Sequence, residues 1–377
     1  MKDLFKDLPK FISMKMNMPV ITCSINQVES RLAQTISTMR STPNLLFFFL
    51  PQHATSEYKE VKRISDVVFK IPSQCVNCWS LRRGPSRSYA GNISLKINAK
   101  LGGVNSVLSN PPCENYMMVC GADVTHPMAG EKDISIASIV GSFDVNCTQY
   151  ASESSVQTGR KEIIENMQTM MQGLFNRYYR HNQHVPNSVL FYRDGVGDSM
   201  FNIIMHEEVP KIYLAFRNCF PQWEHPLKLT FLVCQKRHCM KLFPSEKDKN
   251  GNARPGLLID EEIVSKEKTE FYLQSAVTLN GTGRSCRYTV LVDDNDFSLE
   301  KLETLTFHIC FLFNRCNGSI GICAPARYAH HLCFRTRDIL RVSDGDDARS
   351  VGSRGSSSSL SKAFDYDSSM KEKMFYI

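Results

Sequence analysis

Two apolar runs, each ending in an aspartate, constrain this chain more than anything else in it. Tyr116-Met117-Met118-Val119-Cys120 runs into Gly121-Ala122-Asp123-Val124-Thr125-His126-Pro127. Ser188-Val189-Leu190-Phe191-Tyr192 runs into Arg193-Asp194-Gly195. Short uninterrupted apolar runs predict buried strands, and Pro127 cannot donate to a ladder, so pairing stops near it. Two parallel strands that both end in Asp set two carboxylates side by side. There they repel each other unless a divalent cation lies between them. Taken singly, each Asp has a plainer use, as the cap of a following turn or helix.

Composition narrows the setting. A chain of 377 residues is long enough for two or three domains with cores of their own. The longest uninterrupted apolar run, Leu45 to Leu50, is far too short to span a bilayer. The start, Met1-Lys2-Asp3-Leu4-Phe5-Lys6-Asp7, alternates charge with apolar residues and reads as no signal peptide. A cytoplasmic protein, present also in the nucleus, is therefore expected, with its 14 cysteines as free thiols. Cys75-Val76-Asn77-Cys78 has the spacing of half a zinc site, but no second pair follows at finger-like distance. Charge is uneven: residues 1–110 hold 15 Lys and Arg against 6 Asp and Glu, and the remainder 30 against 32. A basic first third suggests an anion-binding module.

In chain order, Val28, Leu32, Ile36 and Met39 have helical spacing, and Leu45 to Leu50 reads as a strand closed by Pro51. Ser56 is expected to cap a helix over residues 57–68, with Tyr58 and Lys62 on one face. Cys75 to Trp79 reads as a strand and Ser80 to Gly91 as a basic loop. Ile93 to Leu101 reads as a helix with Lys96 and Lys100 on one face, ended by Gly102-Gly103. Beyond Tyr116, three strands (116–122, 134–144 and 148–151) form a meander. Helix 159–179, strand 187–193, helix 199–217 and strand 227–234 follow, then strand 290–292 and helix 299–314. Such alternation is α/β, in the order of a ribonuclease-H-like fold. From Ser343 to Ser369 the composition is Ser-rich and poor in apolar residues, a flexible loop; 370–377 regains apolar residues and docks.

Several of these stretches together resemble the Argonaute branch of the Argonaute family. They are the Gly121–Pro127 run, Phe191-Tyr192-Arg193-Asp194-Gly195-Val196, Val233-Cys234-Gln235-Lys236-Arg237-His238 and Ala324-Pro325-Ala326-Arg327-Tyr328-Ala329-His330. Upstream, Tyr58-Lys59-Glu60-Val61-Lys62-Arg63, Gln74-Cys75-Val76 and Leu95 to Gly103 resemble the family's MID domain. The resemblance implies a Rossmann-like MID domain over 1–110, truncated at its start, and a ribonuclease-H-like Piwi domain over 111–342. A Ser-rich flexible loop over 343–369 and a segment over 370–377, docked on the Piwi/MID interface, complete the expectation. The family's N-terminal and PAZ half, with its pocket for the guide's 3′ end, would be absent from this chain.

The resemblance also implies site residues. Asp123, Glu162, Asp194 and His330 fall on the catalytic positions, with Asp123, Asp194 and His330 as ligands of Mg²⁺ or Mn²⁺. Two such ions about 4 Å apart activate a water and stabilise the leaving oxygen of a phosphodiester. Read without the resemblance, Glu162 is a first-turn glutamate facing its helix dipole. Tyr58, Lys62, Gln74, Lys96, Lys100, Arg315 and Arg335 fall on the pocket for the guide's 5′ phosphate, and Lys236, Arg237 and Arg284 on guide-backbone contacts. Implied partners are a small guide RNA, a complementary target RNA and Trp/Gly-repeat silencing proteins, with no membrane, around a monomer in a ribonucleoprotein. Ala276 stands where relatives often carry histidine, and Gly197-Asp198-Ser199-Met200 departs from the usual pattern. Two functions stay open: a small-RNA-guided endoribonuclease, and a guide-binding scaffold or truncated isoform that recruits partners without cutting.

Overall fold

A computed structural model of the chain describes residues 21–82, 84, 86–111, 116–127, 134–350 and 364–377, with 343–350 by backbone alone. Its N-terminal part holds helix α1 (Val28–Thr38), strand β1 (Leu46–Leu50), helix α2 (Thr55–Arg63), strand β2 (Ser73–Asn77) and helix α3 (Arg87–Lys100). β1 and β2 pair in parallel across α2, a single βαβ unit. Val76, Ala90, Ile93 and Ile97 form its small core, with Phe47 and Phe49 packed alongside. Two expectations change in this layer. Ser56 does not cap α2, because Ala54 holds that position and the Ser56 hydroxyl turns to Glu57 instead. The expected single helix to Val68 also widens into a π-helical turn over Ile64–Val68.

The larger part is one eight-stranded sheet in the order β5-β4-β3-β6-β7-β10-β9-β8. Its strands are β3 (Met117–Thr125), β4 (Ile134–Ser142), β5 (Tyr150–Thr158), β6 (Ser188–Asp194), β7 (Lys228–Gln235), β8 (Leu257–Ile259), β9 (Glu270–Gln274) and β10 (Cys286–Asp293). The first three form the expected antiparallel meander. β3, β6 and β7 run parallel at the centre, where helices cover both faces and an apolar run is needed on each. β6 shows why its sequence is uniformly apolar. Val189 and Phe191 enter the cluster under α4 (Met167–Asn182), α5 (Phe201–Glu207) and α6 (Val209–Cys219). Leu190 and Tyr192 enter the cluster on the other face.

Helix α7 (Leu299–Ile309) and the 27-residue α8 (Ala324–Ser350) cover that second face. The sequence pattern missed α8, whose first three turns are buried on several sides. Ala324, Ala326, Tyr328, Ala329, Leu332 and Cys333 are all inaccessible, leaving no polar stripe to mark a period. The helix lies so close to β3 that a Cβ on Gly121 would run into the backbone of Pro325. Helical backbone extends to Ser350, where a loop was expected from 343; the rest of that expectation, over 351–363, lies outside the described residues. Met370, Met374, Phe375, Tyr376 and Ile377 are buried in the α8-side core, against which Val67 also packs.

Three further expectations are corrected. The segment 159–166 is not helical, because Gln157 Nε2 donates to the carbonyls of Lys161 and Ile163 (2.8 and 2.9 Å), and α4 starts only at Met167. The helix expected over 199–217 is broken at Glu208, where Pro210 opens α6 without an N–H to continue the ladder. The sequence pattern assigned no element to β8 and β9, two short strands with charged residues around them. Cys147 is disulfide-bonded, against the expectation of free thiols throughout; twelve described cysteines are free.

Candidate functional site

Parallel pairing of β3 and β6 sets Ala122 opposite Arg193, so Asp123 and Asp194 come one step further along, at the same end of the sheet. Asp123 is four residues from Val119 and Asp194 two from Tyr192, both in the α8-side core, so the two acids share that face. Burial and the charge of Asp123 push the Asp194 carboxyl up to about 7. His330, on the second turn of α8, reaches the same place: its Nδ1 lies 2.8 Å from Asp123 Oδ2. The neighbouring His331 turns away. Its ring stacks on Phe313 and meets the Arg315 guanidinium, and burial with that charge drives it down to about 2. Of the two histidines, it is His330 that contacts Asp123.

Glu162 arrives from the 159–166 loop rather than from a helix. Its Oε2 is 2.7 Å from His126 Nε2 and its Oε1 is 3.2 Å from Arg193 Nη1. Burial raises its pKa against the opposing pull of Arg193. Gly195 sits between the acids in a left-handed conformation (φ 88°), and its missing side chain would stand 3.3 Å from both Asp123 Oδ1 and Glu162 Oε1. Any other residue there would be strained and would crowd the site. Sequence reasoning missed His126, whose only signal was its place in the run after Asp123.

Three carboxylates and an imidazole are a hard-donor set suited to Mg²⁺ or Mn²⁺. The raised Asp194 shows what an opposite charge would relieve. On both counts the residues fit a divalent cation. Among the described residues, no three His, Cys, Asp or Glu side chains stand in a finished metal-holding arrangement; His330, His126 and Arg193 instead partner the acids.

A cationic cluster lies beside the same helix. Lys62 Nζ donates to Ser73 O and Oγ (2.7 and 2.9 Å), and Lys100 Nζ to Ser73 O and Gln74 Oε1 (3.0 and 2.9 Å). Lys62 also lies 5.6 Å from the centre of the Tyr58 ring. From α8, Arg335 contributes a 2.6 Å pair with Asp66 and a 3.3 Å contact to Tyr58 OH. Burial, Arg315 and Lys62 lower Lys96 to about 8. Burial and the Lys62 charge pull Lys100 well below its usual range. Of the seven residues expected in this pocket, Tyr58, Lys62, Gln74, Lys100 and Arg335 are linked by these contacts, and Arg335 is paired with the carboxylate of Asp66. That buried aspartate was not foreseen, and its Oδ1 has no hydrogen-bond partner. A cavity of about 470 Å³ opens between Tyr58, His53, Pro51 and Asn77. Lys236, Arg237 and Arg284 flank the acidic end, just beyond β7 and before β10, with Arg237 and Arg284 exposed.

The Piwi domain family matches residues 45–341, and the chain belongs to that family, whose fold is ribonuclease-H-like. It is 36% identical over 308 residues to protein argonaute 18 of Oryza sativa subsp. japonica, covering 77% of this chain and 28% of that protein. Among solved structures it is similar to the C-terminal lobe of a budding yeast Argonaute (27% identity, TM-score 0.84, 93% of this chain and 72% of that one). It is also similar to Kluyveromyces polysporus Argonaute with a guide RNA (26% identity, TM-score 0.87, 100% of this chain and 48% of that one). The chain thus spans under a third of the rice relative and about half of the guide-bound Argonaute.

Proposed function

We propose that this chain anchors a guide RNA by its 5′ phosphate and hydrolyses a phosphodiester of the paired target RNA, as the MID and Piwi portion of an Argonaute protein. The observation that carries this reading is the convergence of Asp123, Asp194, His330 and Glu162 at one sheet end, with a cationic cluster to which the same helix contributes Arg335. Asp123, Asp194 and His330 would hold the divalent ion, with Glu162 completing the set. When bound, Mg²⁺ or Mn²⁺ supplies an activated water at neutral pH and neutralises charge on the phosphate. With Nδ1 donating to Asp123, His330 presents Nε2 as its lone-pair nitrogen. His126 and Arg193 keep Glu162 turned inward.

On the guide side, Tyr58 supplies a stacking face for the first base. Lys62, Gln74, Lys96, Lys100, Arg315 and Arg335 surround the phosphate, and a terminal phosphate with its extra charge suits so many cations. Lys236, Arg237 and Arg284 would follow the guide backbone. The partners are then guide RNA, target RNA and Trp/Gly-repeat proteins, around a monomer in the cytoplasm and nucleus. Among the described residues no helix is long and apolar enough to cross a membrane.

A non-cutting guide-binding scaffold is the second reading, favoured by the partnering of Asp123 and Glu162 with His330, His126 and Arg193. The test loads the chain with a 5′-phosphorylated guide and adds a matched, labelled target with Mg²⁺. A single cut that disappears in Asp123→Ala supports the first reading. Guide binding without a cut supports the scaffold, and absence of both removes the family function from this chain.

A further inference from the structure

Glu162 lies on a segment that no helix or strand holds, so something else must fix it. We propose that Ser135 and Glu208 are positioning residues that clamp this loop from its two sides; the proposal rests on reading Glu162 as part of the cutting site. Ser135 Oγ accepts from the backbone N–H of Arg160 (2.9 Å) and lies 2.8 Å from His126 Nδ1. With one lone pair taken by that N–H, the hydroxyl proton is free to go to Nδ1. The imidazole then carries its proton on Nε2, the atom 2.7 Å from Glu162 Oε2. On the other side, Glu208 Oε1 accepts from the backbone N–H of Ile164 (2.9 Å). The same carboxylate takes Arg193 Nε and Nη2 (3.2 and 3.3 Å). Arg193 in turn donates to Glu162 Oε1 and to the Glu162 carbonyl (3.2 and 2.5 Å).

The arrangement is two-sided. Each outer residue grips the backbone two positions from Glu162 and, through one intermediate side chain, a different oxygen of its carboxylate. Arg160 is held in a left-handed conformation (φ 60°), which a non-glycine residue keeps only where its surroundings impose it. Ser135 and Glu208 are both inaccessible, and neither touches the reacting atoms. Glu208 also falls where α5 and α6 break, which frees its side chain to point at the loop rather than continue a helix face.

The test uses the full chain as Ser135→Ala, Ser135→Thr and Glu208→Gln. Amide exchange at Arg160 and Ile164 is read in the unloaded protein, followed by guide affinity, target KM and kcat in the loaded one. Ser135→Ala should speed exchange at the loop and lower kcat by about tenfold, the effect of one lost hydrogen bond. Guide affinity and KM should stay unchanged, and Ser135→Thr should restore both affected readouts. Glu208→Gln should behave like Ser135→Ala, and a fold lost in that variant leaves the serine pair to decide. Wild-type exchange and kcat in Ser135→Ala would overturn the clamp. So would a loss spread over the whole sheet that Ser135→Thr does not rescue, which marks a role in folding alone. If the unsubstituted chain never cuts, the cutting reading falls, and the exchange measurement still decides the clamp.

Discussion

The two charged regions that α8 joins, through His330 and Arg335, solve the same problem with opposite signs and by different means. At the sheet end, Asp123 and Glu162 are each met by a basic or imidazole side chain, and burial leaves Asp194 carrying the cost. In the cationic cluster, Lys62 and Lys100 are satisfied by neutral oxygens of Ser73 and Gln74. Neutral acceptors hold an ammonium in place without cancelling its charge, so its attraction for an anion survives. The acid site draws its two aspartates from the ladder of one sheet. The cluster draws on α2, β2, α3 and α8, so it depends on how the small N-terminal layer packs.

That contrast can be broken first at the acid site. Asp194→Ala should remove target cleavage below detection, because a donor for the metal is lost, while guide affinity is retained. Cleavage by this variant at the unsubstituted rate would show that the two regions are not separate in the way described. Next in size, Lys62→Ala and Lys100→Ala should erase the preference for a 5′-phosphate over a 5′-hydroxyl guide. The loss is about 1.5–3 kcal/mol per charge-assisted hydrogen bond. Equal affinities for the two guides in the unsubstituted chain would refute the anchor and leave the acid site untouched.

The strands were legible in the sequence because β3 and β6 are buried on both faces and so spell apolar runs that end in Asp. The joining of Asp123 to Asp194 followed from parallel pairing alone. His330 and Glu162 were legible only by resemblance, since no periodicity marks a residue that enters a site from a helix or loop distant in the chain. His126, Ser135, Glu208 and Asp66 escaped because each acts through a hydrogen bond across 9 to 269 positions. Such bonds leave no trace in local pattern.

Smaller effects sharpen the contrast through pH. Lys96, lowered to about 8, should regain its proton when a phosphate binds. Affinity for a 5′-phosphorylated guide should therefore fall as pH rises above 8, and Lys96→Met should flatten that slope in a filter-binding titration. Away from both sites, burial with Asp260 and Glu300 raises Glu303 to about 7, and its Oε1 has no partner. The folded state then holds a proton that the unfolded chain gives up. This group therefore costs stability as pH rises from the ordinary carboxylate range through 7. Glu303→Gln should raise the melting temperature at about pH 8 and leave it nearly unchanged near the ordinary glutamate pKa of about 4.3. An equal shift at both values would show that the carboxyl is not protonated in the fold.

The close seating of α8 against Gly121 makes the helix a ruler. His330 and Arg335 sit five residues apart on one rigid rod, a span of about 7.5 Å along its axis. On the proposed reading, the spacing between His330 and Arg335 would be set by helix geometry rather than by a hinge. One methyl group at position 121 would lift the rod and shift both marks at once. Anchoring and cutting would then move together, where Asp194→Ala and Lys62→Ala each move one and leave the other in place.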